Sequence, residues 1–317
     1  MRIVILGNTG KDITKAYSWF VKTTYEGLKL NGHDVIGIDW KSNSLQNIKT
    51  LVLNFNPSII FTHLTFHGHK DINQIKEIFS DFKKRRIRMV HTLQDAKNEP
   101  RYNGNISDIF DIAFVSQLEN LEKFQFYWKV PTFFWPYSSL TLKKMANFNP
   151  SYSFEYPVFT GSVISHSDRS DFIKRLSRVM NIHIIQTKSS KDLRSVTPEL
   201  SVSSKCILGL CTGYNIGGYI DVRPFQYLGC GAFMISRKFK WQEKILPDSL
   251  QILFDSYKDP FVVKELWKKW SKTNTSKIRE NAFNFIQKYH SSKIRMKNTL
   301  NVINGKQNSV KALISEI

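Results

Sequence analysis

The sequence predicts an α/β chain of two doubly wound domains, and three observations carry that expectation. Short apolar runs alternate with helix-length amphipathic stretches, in two successive series. A polar, turn-rich segment from Thr141 to Tyr156, with Pro150 and Ser151 inside it and Pro157 just beyond, separates the series. At 317 residues and 41% hydrophobic content, the chain is long enough for two ordinary cores. Strands alternating with helices demand a parallel sheet with right-handed crossovers, which gathers ligands at the carboxyl ends of its strands.

In the first series Arg2 to Leu6 reads as a buried strand, Asn8 to Gly10 as a turn, and Ile13 to Leu30 as a long amphipathic helix stopped by Asn31-Gly32-His33. Asp34 to Ile38 is a second strand, Leu45 to Phe55 a helix ended by Asn56-Pro57, and Ser58 to Thr62 a third strand. Helix Ile72 to Lys84, strands Ile87 to Leu93 and Ile112 to Val115, helix Leu118 to Trp128 and strand Thr132 to Trp135 follow. The loops after Leu6, Thr62 and Leu93 should then face one cleft.

The second series runs through strand Val158 to Gly161, helix Arg169 to Met180, and strands Ile182 to Gln186 and Cys206 to Cys211. Its densest stretch is Asp221 to Ser236. There Asp221 can cap, Arg223 to Leu228 reads as a short helix, Gly229 and Gly231 stop it, and Ala232 to Ile235 is an apolar strand. Such a joint sets helix N–H groups and an arginine beside the glycine-rich loop Gly213 to Gly218, where a phosphate could dock. Strand Gln251 to Phe254 comes next, and after Asp259 the chain reads as helical almost to its end.

The opening run of MRIVILGNTG is too short for a secretory signal or a membrane span, and no other run approaches that length. Three cysteines, Cys206, Cys211 and Cys230, point to buried thiols in a reducing cytoplasm, not to a disulfide framework or a zinc site. A viral chain would meet that compartment in its host. The 46 Lys+Arg against 26 Asp+Glu give a net +20, a field that attracts DNA, RNA, an anionic membrane face or an acidic glycan. A lysine- and asparagine-rich chain is also what an AT-rich genome produces. The densest basic cluster is Lys83, Lys84, Arg85, Arg86 and Arg88.

GNTGK, after the first strand, matches neither phosphate fingerprint, so it reads as a tight turn or an acceptor loop. HLTFHGHKD sets His63, His67, His69 and Asp71 at the end of a strand. Its HxHxD core suits a metal in spacing, but Ile72 stands where a metallo-hydrolase carries its next histidine, so polar histidines lining a cleft are the better reading. Asp95, after the fourth strand, can accept a proton from a hydroxyl or cap its own loop.

The stretch DVRPFQYLGCGAFMIS resembles the signature of two-domain (GT-B) glycosyltransferases, in particular the spore-maturation-protein-like (CgeB-like) branch. IRENAFNFIQKYHSSKIRMKNTL, from Ile278 to Leu300, is similar to the helix that follows it there. The resemblance implies two Rossmann-like domains facing across a cleft. They would be an acceptor domain over residues 1–150 and a nucleotide-sugar domain over 151–285, with a helical tail over 286–317 crossing back to the first. It implies a metal-independent hexosyltransferase with a UDP-sugar as co-substrate and no resident cofactor. Arg169, Arg223 and Gly161 would meet the diphosphate, because a departing nucleoside diphosphate builds charge that guanidinium groups offset. Thr212, Gly213, Tyr214, Gly217, Gly218 and Gln226 would hold the nucleoside. Asp95 or His67 would act as base, with Gly10, His63, His69 and Arg101 around the acceptor.

One letter departs from the pattern: the family's ribose-binding glutamate falls on Gln226, which offers one acceptor and one donor in place of two acceptors. The acceptor expected from the charge is a polyanion, DNA with hydroxylated bases ahead of an anionic lipid or glycan. The rival expectation is a non-catalytic nucleic-acid-binding protein on a decayed transferase scaffold.

Overall fold

The computed structural model describes residues 1–10, 12–13, 18–63, 72–93, 108–145, 154–161, 167–185, 198–211 and 214–316. The chain divides into two compact units: Met1–Pro136 with Ser292–Ala312, and Tyr137–Ser291 with Leu313–Ile317.

Unit 1 is built on six parallel strands, β1 (Arg2–Gly7), β2 (Asp34–Asp39), β3 (Ile59–Thr62), β4 (Arg88–Leu93), β5 (Ile112–Val115) and β6 (Thr132–Phe134). Their order is β2-β1-β3-β4-β5-β6. Ile3, Val4, Ile5 and Leu6 are all fully buried, as a continuous apolar run requires when helices cover both faces of a sheet. Helices α1 (Trp19–Leu30), α2 (Leu45–Phe55), α3 (Ile72–Lys84) and α4 (Leu121–Trp128) supply those layers. Helix α2 matches the sequence reading residue for residue, because both ends carry strong signals. Ser44 accepts from the Asn47 N–H at 3.2 Å, and Asn56 turns left-handed (φ 48°) to bond Val52 O just before Pro57.

The helix expected from Ile13 begins instead at Trp19, with Ser18 extended. Ile13 has another partner: its side chain lies on Gly37 of β2, where an added Cβ would come within 2.5 Å of it. Apolar period alone cannot tell a sheet-covering residue from a helix-facing one.

Unit 2 repeats the plan with five parallel strands, β7 (Val158–Thr160), β8 (His183–Ile185), β9 (Ile207–Gly209), β10 (Met234–Arg237) and β11 (Ile252–Phe254), in the order β11-β10-β9-β7-β8. Counted within each unit, strands one to five of both sheets run 2-1-3-4-5, so each sheet reverses direction between its first and third strands. Helices α5 (Ser167–Val179), α6 (Val222–Leu228), α7 (Pro260–Trp270) and α8 (Ser276–Tyr289) belong to this unit. The strand expected over Ala232 to Ile235 is shifted two residues onward. Gly231 (φ 89°) and Ala232 still bond back to Leu228 O and Tyr227 O, so the chain is leaving the helix where the apolar run begins. The shift brings Arg237 onto the end of β10.

Helix α9 (Ser292–Ile303) returns to unit 1 and packs on α1. Gly27 makes the approach possible: a Cβ there would stand 2.3 Å from Ser292 O. Asn31 Nδ2 donates to Lys293 O at 2.9 Å, and Ser292 bonds the Glu26 carboxylate. No helix among the described residues is long and apolar enough to cross a membrane. The three cysteines are buried and unlinked.

Candidate functional site

A doubly wound sheet opens a crevice where its strand order reverses, because the loops on either side depart to opposite faces. In unit 2 that point lies between β7 and β9. Gly161, directly after β7, has φ 130°, and a Cβ on it would fall 2.6 Å from Nη2 of Arg223. Glycine here is therefore both a backbone and a space requirement. Arg223 comes from α6. Its Nη1 meets Asp221 Oδ2 at 2.9 Å and its Nε donates to Thr160 O at 3.3 Å. Asp221 also accepts from the Arg223 N–H, so one carboxylate caps the helix and orients the arginine at its start. Arg169, in the first turn of α5, is 2% exposed.

Both guanidinium groups lie over the ring of Phe159, at 5.7 Å for Arg169 and 6.0 Å for Arg223. Burial lowers the Arg169 pKa, and the like charge of Arg223 lowers it further. For Arg223 burial is the largest single influence and acts downward, but Asp221 and the other neighbouring groups together outweigh it and the pKa is raised. Both groups remain cations at neutral pH. Two guanidinium groups gathered over one ring, with Asp221 paired to Arg223, concentrate positive charge that a phosphate would complement.

The rim is tied across strands. Asp168 accepts from the Arg169 N–H at 2.8 Å and from the Tyr214 hydroxyl at 3.1 Å, linking the first turn of α5 to the loop after β9. Lys240 N donates to Tyr214 O at 2.8 Å and Gly218 N to Lys240 O at 2.9 Å, which clips the glycine loop to the segment after β10. Gly218 has φ 70°, and Gly217 lies so close to the Trp241 ring that a Cβ would come within 2.6 Å. Tyr257 donates to Cys211 O at 2.7 Å. Gln226 is 8% exposed on α6. Gly229 and Gly231 serve packing and turn geometry: a Cβ on Gly229 would strike Ser139 Oγ at 2.0 Å.

In unit 1 the reversal lies between β1 and β3. Gly10 (φ 66°) donates its N–H to Asp39 Oδ2 at 2.6 Å, and the other Asp39 oxygen accepts from Lys41 N, Ser42 N and Ser42 Oγ at 2.9–3.0 Å. Burial alone would raise the Asp39 pKa, but these donors hold it below the usual carboxylate range. His63, ending β3, packs edge-on against Phe20 at 4.2 Å and bonds Thr92 Oγ1 through Nδ1. Burial, then the neighbouring His91, holds it well below the ordinary imidazole pKa. His91 is buried on Phe110 with Nδ1 3.0 Å from Thr62 Oγ1, and burial takes its pKa to about 3. Both threonine hydroxyls donate to main-chain carbonyls, Thr62 to Val90 O and Thr92 to Thr62 O.

His67, His69, Asp95, Arg101, Thr212 and Gly213 lie outside the described residues. Of the others, Gly161, Arg169, Arg223 and Tyr214 come together at the unit 2 reversal point, Gly217 and Gly218 join them through Lys240, and Gly10 and His63 stand at the corresponding edge of unit 1. Sequence reasoning missed Asp39, Phe159, Tyr257 and Arg237. Only Asp39 left a usable signal, as an acid closing the second strand of a βαβ unit.

No family model matches the chain, and no curated protein matches it. Solved structures do match it in fold. An α-glucosyltransferase in complex with UDP and a 13-mer DNA containing an HMU (hydroxymethyluracil) base aligns at TM-score 0.68 and 16% identity, over 96% of this chain and 99% of that one. Sucrose-phosphate synthase from Thermosynechococcus elongatus aligns at 0.57 and 9%, over 97% and 100%. HepE from Anabaena, in complex with UDP-glucose, aligns at 0.55 and 9%, over 96% and 100%. The chain has the GT-B fold. At these identities the likeness is one of GT-B architecture, and the spore-maturation-protein-like branch rests on letters alone.

Proposed function

We propose that this GT-B chain is a glycosyltransferase that moves a sugar from a nucleotide sugar, a UDP-sugar, to an acceptor hydroxyl. The observation that carries the reading is the Arg169–Arg223 pair over Phe159 at the reversal point of the unit 2 sheet. When a nucleoside diphosphate departs, charge accumulates on its outer phosphate, and two preoriented guanidinium groups in a poorly hydrated site stabilise it. Arginine supplies that charge without a divalent metal, so the proposed reaction is metal-independent. Tyr214, the Thr212–Gly218 loop and Gln226 hold the nucleoside, and Asp95 or His67 takes the acceptor proton, with Gly10, His63, His69 and Arg101 near the acceptor.

The acceptor we favour is DNA carrying a hydroxylated base, ahead of an anionic lipid or glycan. The net +20 charge supports a polyanion, and the α-glucosyltransferase of like fold was solved with DNA containing such a base. The cytoplasm, the host's if the chain is viral, is where donor and acceptor would meet.

The test is release of nucleoside diphosphate from a panel of nucleotide sugars, with and without EDTA, followed by labelled-sugar transfer to hydroxymethylated DNA. Release that survives EDTA and is lost in Arg223→Gln is the expected result. Tight, salt-sensitive DNA binding with no donor turned over would instead establish the non-catalytic DNA-binding protein, for which the glutamine at 226 is the motivating residue.

A further inference from the structure

Arg237 ends β10, on the far side of β9 from β7. Its guanidinium lies over the Tyr214 ring at 4.3 Å and near the Tyr257 ring at 5.6 Å, and the two rings meet edge to face at 5.5 Å. Both rings are fixed. Tyr214 is held by Asp168 and by the Lys240 backbone, and Tyr257 by its bond to Cys211 O and by Arg175, which donates to Tyr257 O and Lys258 O at 2.5 and 2.6 Å. Rings, not a carboxylate, position Arg237: it forms no ion pair among the described residues, and its buried Nε has no hydrogen-bond partner. Arg237 also hydrogen-bonds Tyr214, and a guanidinium laid on aromatic faces keeps its remaining in-plane N–H groups for a ligand.

The place of those N–H groups narrows what the ligand offers them. Arg169 and Arg223 share Phe159 of β7, whereas Arg237 springs from β10, two strands away, and the strand axes lie about 10 Å apart at ordinary spacing. Two linked phosphates do not reach that far. A ribose and its base do, once the phosphates are held at β7.

We propose that Arg237 selects the nucleotide's base, donating from its in-plane edge to a ring carbonyl oxygen, so that the site takes uracil, thymine or guanine nucleotides and disfavours adenine. Guanidinium donors pair with keto oxygens in this way, and adenine presents an amino group at the same edge. The inference rests on the nucleotide-sugar reading above and adds to it the residue that chooses among nucleotides.

Calorimetric titration of the full chain with UDP, GDP, ADP and inorganic pyrophosphate, repeated on Arg237→Gln and Arg237→Lys, tests it. Wild type should bind UDP or GDP at least about tenfold more tightly than ADP, the loss expected when a charged hydrogen bond has no acceptor. Arg237→Gln should erase that preference while binding pyrophosphate unchanged, which also shows that the variant is folded, and Arg237→Lys should restore it in part. An unchanged preference, or equal weakening of UDP and pyrophosphate, overturns the assignment of Arg237 and leaves the transferase reading standing. Pyrophosphate binding with no nucleotide binding by wild type would overturn both.

Discussion

At Gly161 one missing side chain decides whether a cation can reach its place. With φ at 130° and Arg223 Nη2 2.6 Å from a virtual Cβ, Gly161→Ala should push the guanidinium off Phe159 and weaken UDP binding by at least about tenfold, read by calorimetry. The paired histidines give a pH signature. Because His91 titrates near 3 when folded and near 6.5 when unfolded, the unfolded chain binds the extra proton between those values. Its contribution is complete above pH 6.5 and falls as the pH drops, by about 1.4 kcal/mol per pH unit. Urea midpoints at pH 6 and pH 5 should diverge by less in His91→Gln than in wild type, and an equal divergence would show that His91 does not titrate as described. The glycines and arginines of the site were legible in the letters because strand ends followed by Gly and a helix start are local signals. Phe159, Tyr257 and Arg237 were not, since strand order alone brings β7, β10 and the loop after β11 to one edge.

Among elements, the α1–α9 contact is the most sensitive to volume. Gly27→Ala places a methyl 2.3 Å from Ser292 O and 2.6 Å from Met296 Cγ. A destabilisation of about 1–3 kcal/mol is expected from the displaced helix, measured as a fall in urea midpoint, and a neutral substitution would mean the two helices separate freely. Most helices and strands were readable to within a residue or two because caps, turns and apolar runs agreed, as at α2. They failed where a residue served a neighbour outside its own element: Ile13 covers Gly37 instead of opening α1, and the apolar letters Ala232 and Phe233 complete a helix exit before β10 begins. Two letters of register moved Arg237 from an unremarked loop to the edge of the site.

Across the whole molecule the +20 charge is the quantity to test. If it recruits DNA, affinity for a duplex should fall at least about tenfold between 50 and 200 mM salt, and a flat response in an electrophoretic or fluorescence assay would remove charge as the reason for a polyanionic acceptor. Part of the densest basic cluster has internal work: Lys83 bonds Asp108 O at 3.1 Å and pairs with Asp111 at 3.3 Å, and Arg88 donates to Ile303 O. The two-domain plan was visible in the sequence as rhythm and length, and charge counted along the chain could not reveal which lysines and arginines already had partners.

Because α9 closes the first unit although residues 137–291 build the second, synthesis order and structural order disagree. A ribosome adding about 5–20 residues per second takes on the order of ten seconds from Pro136 to Ser292. Through that interval the nascent amino-terminal lobe carries a bare strip on α1 around Gly27, exposed to chaperones and proteases. Cutting the gene at the 136/137 junction would make the exposure permanent, and only supplying the missing helix in trans would relieve it.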